Sequence, residues 1–227
     1  MKTIFNWILW TLLTTCLLHG QNSERPQVGF VRIVNAVAAG TGKATFHVNG
    51  RNLYADGYDL GQTTGGYGVK AGNLEIEVRK EGVESGSTRV NLGNEETITI
   101  IAFAEPIPAE KPEDPPKWVI RLLRLKQRQV ESGYGVSMVS VCNTPESIIE
   151  IGVEGEEKAQ RQIVKRLKVS SISLGGNRGE IAIRQENEVI GNISPDSPGN
   201  YVVILYQTPE GKTRALTFYD PKFVIAG

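Results

Sequence analysis

The chain has 227 residues, in which 25 Lys and Arg balance 25 Asp and Glu for a formal net charge of zero, with two cysteines and two histidines. Near neutrality gives no electrostatic case for nucleic acid or for an anionic membrane surface as partner. So few cysteines and histidines argue against a disulfide scaffold and against multi-histidine metal sites.

The first element, residues 1–20, reads "MKTIFNWILWTLLTTCLLHG": one cation at Lys2, an apolar run from Ile4 to Leu18, and a small residue before polar "QNSERP". This is a secretory signal pattern with cleavage after Gly20. The run is short for a spanning helix, which needs about 20 apolar residues. An uncleaved anchor is one rival. Another is lipidation of Cys16, although Thr15 and the apolar Leu17 and Leu18 fit a lipoprotein box poorly. Cleavage would leave about 200 residues, enough for two domains of ordinary size. Its histidine would be His47 and its cysteine Cys142, and no later stretch is apolar enough to span a membrane. The expected location is therefore outside the cytoplasm: periplasmic, cell-surface or extracellular.

From residue 26 the pattern is β. "VRIVN" (Val31–Asn35) is a buried strand, and "ATFHVNG" (Ala44–Gly50) alternates apolar Ala44, Phe46 and Val48 before an Asn-Gly turn. A loop with Tyr54, Tyr58 and Tyr67 follows, with a second turn signal at Asp56-Gly57. "AGNLEIEVRKEG" from Ala71, "TITIIAFAE" from Thr97 and "WVIRLLRL" from Trp118 are further strands. The Pro-rich stretch 105–117 reads as a stiff loop across a hairpin. Polar "QRQVESGYG", Gln127–Gly135, reads as a linker.

The order then recurs. "VSVCN" from Val139, "IEIGVEG" from Ile149, "GGNRGEIAIRQEN" from Gly175, "NYVVILYQT" from Asn200 and "TRALTFYD" from Thr213 answer the first half piece by piece. Helical spacing is confined to Ile163, Val164 and Leu167. The expectation is an all-β chain of two tandem antiparallel β-sandwich domains, immunoglobulin-like or transthyretin-like, related by internal duplication. Their bounds are 26–130 and 134–227.

"VRIVNAV", "FHVNG", "KAGNLEIEV" and "ETITIIAFAE" occur in an order that resembles domain of unknown function 4397, found in exported bacterial proteins. The match runs from Val31 to Glu105. Asn35 stands where that family often has His, "AVAAG" replaces its Ser-Pro, and the second half keeps the strands but loses most of the signature. The resemblance implies a small β-sandwich module of the cell envelope or exterior and no activity.

Reactive constellations are sparse. His47 lies between Phe46 and Val48 and points outward if they point in, and no Gly-x-Ser-x-Gly elbow or second histidine completes a triad. Cys142 reads as a buried thiol, with a disulfide between chains as the alternative. Asp56 and Asp59 lack the further carboxylates of a calcium loop. The glycines of residues 63–72 lack the ending of a phosphate loop, and Arg161, Lys165, Arg166 and Lys168 read as a solvated sheet edge. No catalytic residue, metal or cofactor is assigned.

The expected function is a non-enzymatic structural or adhesive module whose partner is an envelope protein or polysaccharide. The alternative is a carbohydrate-binding module using Tyr54, Tyr58 and Tyr67. A third reading, a glycosidase-like carboxylate pair of Asp56 with Glu75, is the weakest.

Overall fold

The computed structural model of the chain describes residues 27–109, 111, 115–130, 133–153, 159–175 and 179–221. The expected export segment 1–20, Cys16 included, lies outside them. Among the described residues the regular structure is all β, and no helix is long and apolar enough to cross a membrane.

Eight strands come from the first half: β1 (Val28–Ala36), β2 (Thr41–Val48), β3 (Arg51–Asn52), β4 (Tyr67–Lys70), β5 (Gly72–Glu81), β6 (Val83–Leu92), β7 (Thr97–Ile107) and β8 (Lys117–Lys126). They are ordered β3-β2-β5-β6-β8-β7-β1-β4, and the link between β6 and β8 rests on one residue pair, Glu84 with Val119. The sheet turns back on itself at that seam, so both of its halves line one core that includes Ile33, Phe46, Ile76, Leu92, Ile100 and Ile120.

The remaining strands are β9 (Tyr134–Ser140), β10 (Glu146–Val153), β11 (Gln160–Lys165), β12 (Ser170–Gly175), β13 (Ile181–Gln185), β14 (Glu188–Ile193), β15 (Gly199–Gln207) and β16 (Thr213–Tyr219). They form two four-stranded sheets, β11-β10-β13-β14 and β12-β9-β15-β16. A second core, with Met138, Ile149, Ile151, Ile183 and Val203, lies between them.

Local chemistry explains the elements. In β5, Leu74, Ile76 and Val78 are buried while Glu75 and Arg79 face water, the alternation of a strand with one wet face. Asn49 and Gly50 both adopt positive φ, 50° and 77°, and close the two-residue hairpin between β2 and β3. Polar Gln160–Lys165, part of the stretch with brief helical spacing, is strand β11 because its alternate residue Val164 faces the second core.

The sheets are mixed where the sequence reading expects antiparallel ones, since β1 runs parallel to β7 and β9 to β15, and two boundaries also differ. The hairpin ladder runs on through Pro106 with Trp118 and Ile107 with Lys117, so the Pro-rich connection begins three residues later than the stretch 105–117 read from sequence, and ends one earlier. Proline fits there because β1 stops pairing with β7 at Phe103, which leaves Pro106 no ladder partner on that side. The second unit's first strand also starts earlier, at Tyr134, and ends at Ser140 rather than running to Asn143.

Strands β1, β7, β9 and β15 are buried on both faces. Their second faces meet in a third cluster joining Val34, Ala36, Ile101 and Phe103 to Val139, Val141, Val202 and Ile204. Four sheet layers thus enclose three apolar layers. Each large side chain buried in the middle layer stabilises the junction by roughly 1.5–3 kcal/mol.

Candidate functional site

The junction brings together side chains that lie far apart along the chain. Arg32, on β1, projects between Val31 and Ile33 toward the second half, where its guanidinium donates to Asp220 at 2.8 Å. Both side chains are almost fully buried, at 4% and 3% exposure, and the guanidinium also lies 4.5 Å from the centre of the Phe218 ring. A desolvated pair of this kind is tolerated only because each charge keeps its partner. The Gln127 side-chain amide donates a hydrogen bond to the Pro221 carbonyl beside it.

At another part of the junction, Glu105 accepts from Arg166 and from Arg121. The Arg166 guanidinium, followed by that of Arg121, holds the Glu105 carboxyl below the usual carboxylate range. Arg166 also donates to the Cys142 carbonyl and sits over the Phe103 ring. Of the basic run that reads as a solvated edge, Arg161, Lys165 and Lys168 are exposed and Arg166 turns inward. A cleft of about 350 Å³ opens between the halves, lined by Ala36, Trp118, Val141, Asn143, Gln207 and Pro209 among others.

The three tyrosines take different places. Tyr54 and Tyr58 meet edge to face at 5.7 Å, and Tyr58 lies flat on Phe46 at 4.6 Å, so one of its faces belongs to the first core. Tyr54 is 50% exposed. Tyr67 opens β4, opposite Val31, and is half-buried. Hydrogen bonding to the Asp56 carboxylate raises the Tyr54 hydroxyl above its ordinary pKa.

Between β3 and β4 the chain is stitched across an open side of the first core. Tyr58 pairs with Ala44, and buried Asn35 donates from its amide to the Tyr58 carbonyl while accepting from the Val37 N–H. Asn35 therefore organises a loop.

The other sequence candidates have mundane neighbours. Asp59 pairs with Lys43 at 3.2 Å, and Glu75 on β5 lies 3.7 Å from Arg89. His47 is half-buried on β2 beside Glu77 and Asn52. Cys142 is a buried free thiol in the second core, and desolvation pushes its pKa up. Among the described residues no three His, Cys, Asp or Glu side chains group as metal ligands.

Sequence reasoning passed over Arg32 and Asp220 and placed Arg166 on a solvated edge. The available signal was apolar residues at both parities of "TITIIAFA" and "YVVILY", which marks a strand covered on both faces. β1, "VGFVRIVNA", is apolar at both parities too, and the charge of Arg32 inside such a strand needs a buried partner. No protein-family model matches the chain, and no curated protein matches it.

Proposed function

We propose that the chain is a non-enzymatic, exported structural or adhesive module of a bacterial cell envelope, made of two tandem β-sandwich domains from an internal duplication and held as one rigid body. The observation that carries this reading is the third apolar cluster, flanked by the Arg32–Asp220 and Glu105–Arg166 pairs. Flexible linkage would leave those strand faces wet, and rigidity is what a structural part of an envelope requires.

The duplication draws support from matched pairings. β1 runs parallel to β7, as β9 does to β15, and each second member pairs antiparallel with the next strand, β8 or β16. Phe46 opposes Val78, and Ile151 opposes Ile183. Gly86 then opposes Val78, and Gly191 opposes Ile183. The Val37 N–H donates to the Asn35 side-chain oxygen, as the Cys142 N–H does to the Ser140 hydroxyl. On a duplication in this register Cys142 takes the place of Val37, where setting "VSVCN" beside "VRIVN" puts it at Val34.

Export and envelope location rest on the segment 1–20 and on the resemblance to domain of unknown function 4397. Mass spectrometry of the secreted product should find Gln21 at its start. Rigid association is tested by replacing Val34 and Ile204 with Asp together. The variant should show a larger radius of gyration in small-angle scattering, and an unchanged radius would remove the basis for the proposal. Carbohydrate binding by the first-half tyrosines is the second reading, favoured by the exposed Tyr54 ring. It predicts lost polysaccharide retention in the Tyr54→Ala variant with an unchanged melting temperature.

A further inference from the structure

At the mouth of the second core, between the ends of β14 and β16, lies a pocket of about 420 Å³, within the size range of small-molecule sites. Asn192, Ser194, Asp196, Ser197, Tyr201 and Tyr219 are among the residues that line it. We propose that this pocket binds one ring of a neutral saccharide, with Tyr219 as the stacking platform and Asp196 and Asn192 as partners for its hydroxyls. The site is separate from the rigid-module reading and does not depend on it.

The platform is held in place before any ligand arrives. The Tyr219 hydroxyl donates to the Pro198 carbonyl at 3.0 Å, and its ring packs on Tyr201 at 5.2 Å between centroids. Tyr201 is itself fixed, since its hydroxyl donates to the Ser197 carbonyl and accepts from the Ser197 N–H. A Cβ on Gly199, whose φ is +142°, would come within 2.8 Å of the Tyr219 ring, so that backbone passes close against it. Tyr219 nevertheless remains 38% exposed. Its hydroxyl is already engaged, so what it offers a ligand is ring.

A pyranose has an apolar C–H face and a rim of hydroxyls, which matches an amphipathic ring beside polar groups. Asn192, Ser194, Asp196 and Ser197 are all exposed around it. A carboxylate accepts hydrogen bonds from hydroxyls, and an amide or serine both donates and accepts. The Asp196 charge disfavours uronic acids and sulfated sugars and so selects neutral ones. Fixed aromatic and loop positions also lower the ordering cost of binding.

The test is a glycan array holding neutral and acidic oligosaccharides, probed with the parent chain, followed by calorimetric titration of the strongest neutral binder. Tyr219→Ala and Asp196→Ala should each weaken that binding about tenfold or more, the equivalent of about 1.4 kcal/mol. Tyr219→Phe should stay within about threefold of the parent, and Tyr54→Ala should bind as the parent does. Asp196 is exposed, so its variant keeps the test decisive if Tyr219→Ala fails to fold. Binding to no neutral glycan, binding confined to acidic glycans, loss of binding in Tyr54→Ala, or parent-like binding by Asp196→Ala would overturn the proposal.

Discussion

Arg32 carries the only cation in a run of nine strand residues, β1, and its burial makes it the most consequential single residue of the junction. Arg32→Ala leaves the Asp220 carboxylate buried without its guanidinium, which should cost about 3–5 kcal/mol in urea denaturation. Replacing both partners by apolar residues, Arg32→Met with Asp220→Leu, should cost much less, because no orphan charge remains. Equal losses in the two variants would show that packing rather than charge pairing decides the site. Glu105 provides a pH-dependent counterpart. Its folded pKa lies below its unfolded value, so its pairing contributes fully above the unfolded carboxylate value of about 4.3 and is lost as pH falls through the folded value. The stability gap between the parent and Glu105→Gln should therefore be widest near neutral pH and close in acid. A gap that stays constant from neutral pH to pH 3 would refute this role.

Among elements, the seams between sheets depend on glycine. A Cβ on Gly86 in β6 would lie 2.3 Å from the Ile120 carbonyl oxygen of β8, and one on Gly191 in β14 would lie 2.7 Å from that of Ala215 in β16. Neither has a positive φ that would by itself demand glycine; close approach of backbone does. Gly86→Ala and Gly191→Ala should each lower the melting temperature, and Gly86→Val more than Gly86→Ala. A valine variant that melts with the parent would mean that the seam is not tightly closed. The facing strands set the cores. Phe46→Ala should cost about 3–5 kcal/mol and Ile151→Ala about 2–5 kcal/mol, since Phe46 is fully buried and Ile151 is 2% exposed. Either variant unfolding at the parent's denaturant midpoint would contradict its place in the core.

For the whole molecule, the shared middle layer couples the two halves. Disrupting one core removes the support on which the other half's covered face rests. The chain from Gln21 should unfold in one transition, with Trp118 fluorescence and far-UV circular dichroism tracing coincident curves. Phe46→Ala should shift that single transition as a whole. Two separated steps, one carrying the Trp118 signal, would show the halves to be independent.

Much of this architecture was legible in the chain because strands leave local marks. The alternation of Ala44, Phe46 and Val48, the positive-φ demand at Asn49-Gly50 and the spacing of apolar runs depend on neighbours within a few residues, so the β class, most strands and the outward position of His47 follow from sequence alone. The separation of Tyr67 from Tyr54 and Tyr58, the inward turn of Arg166, and the pairing of Arg32 with Asp220 join residues distant along the chain. Nothing local distinguishes a strand face covered by a second sheet from one capped by a loop. Tyr219 was likewise silent, because a tyrosine near a strand end becomes a platform only where Pro198 and Tyr201 hold it at the rim. Periodicity determines which residues form strands and which of their faces are apolar; tertiary packing alone decides what covers each face, since burial is a property of partners that the chain brings together only on folding.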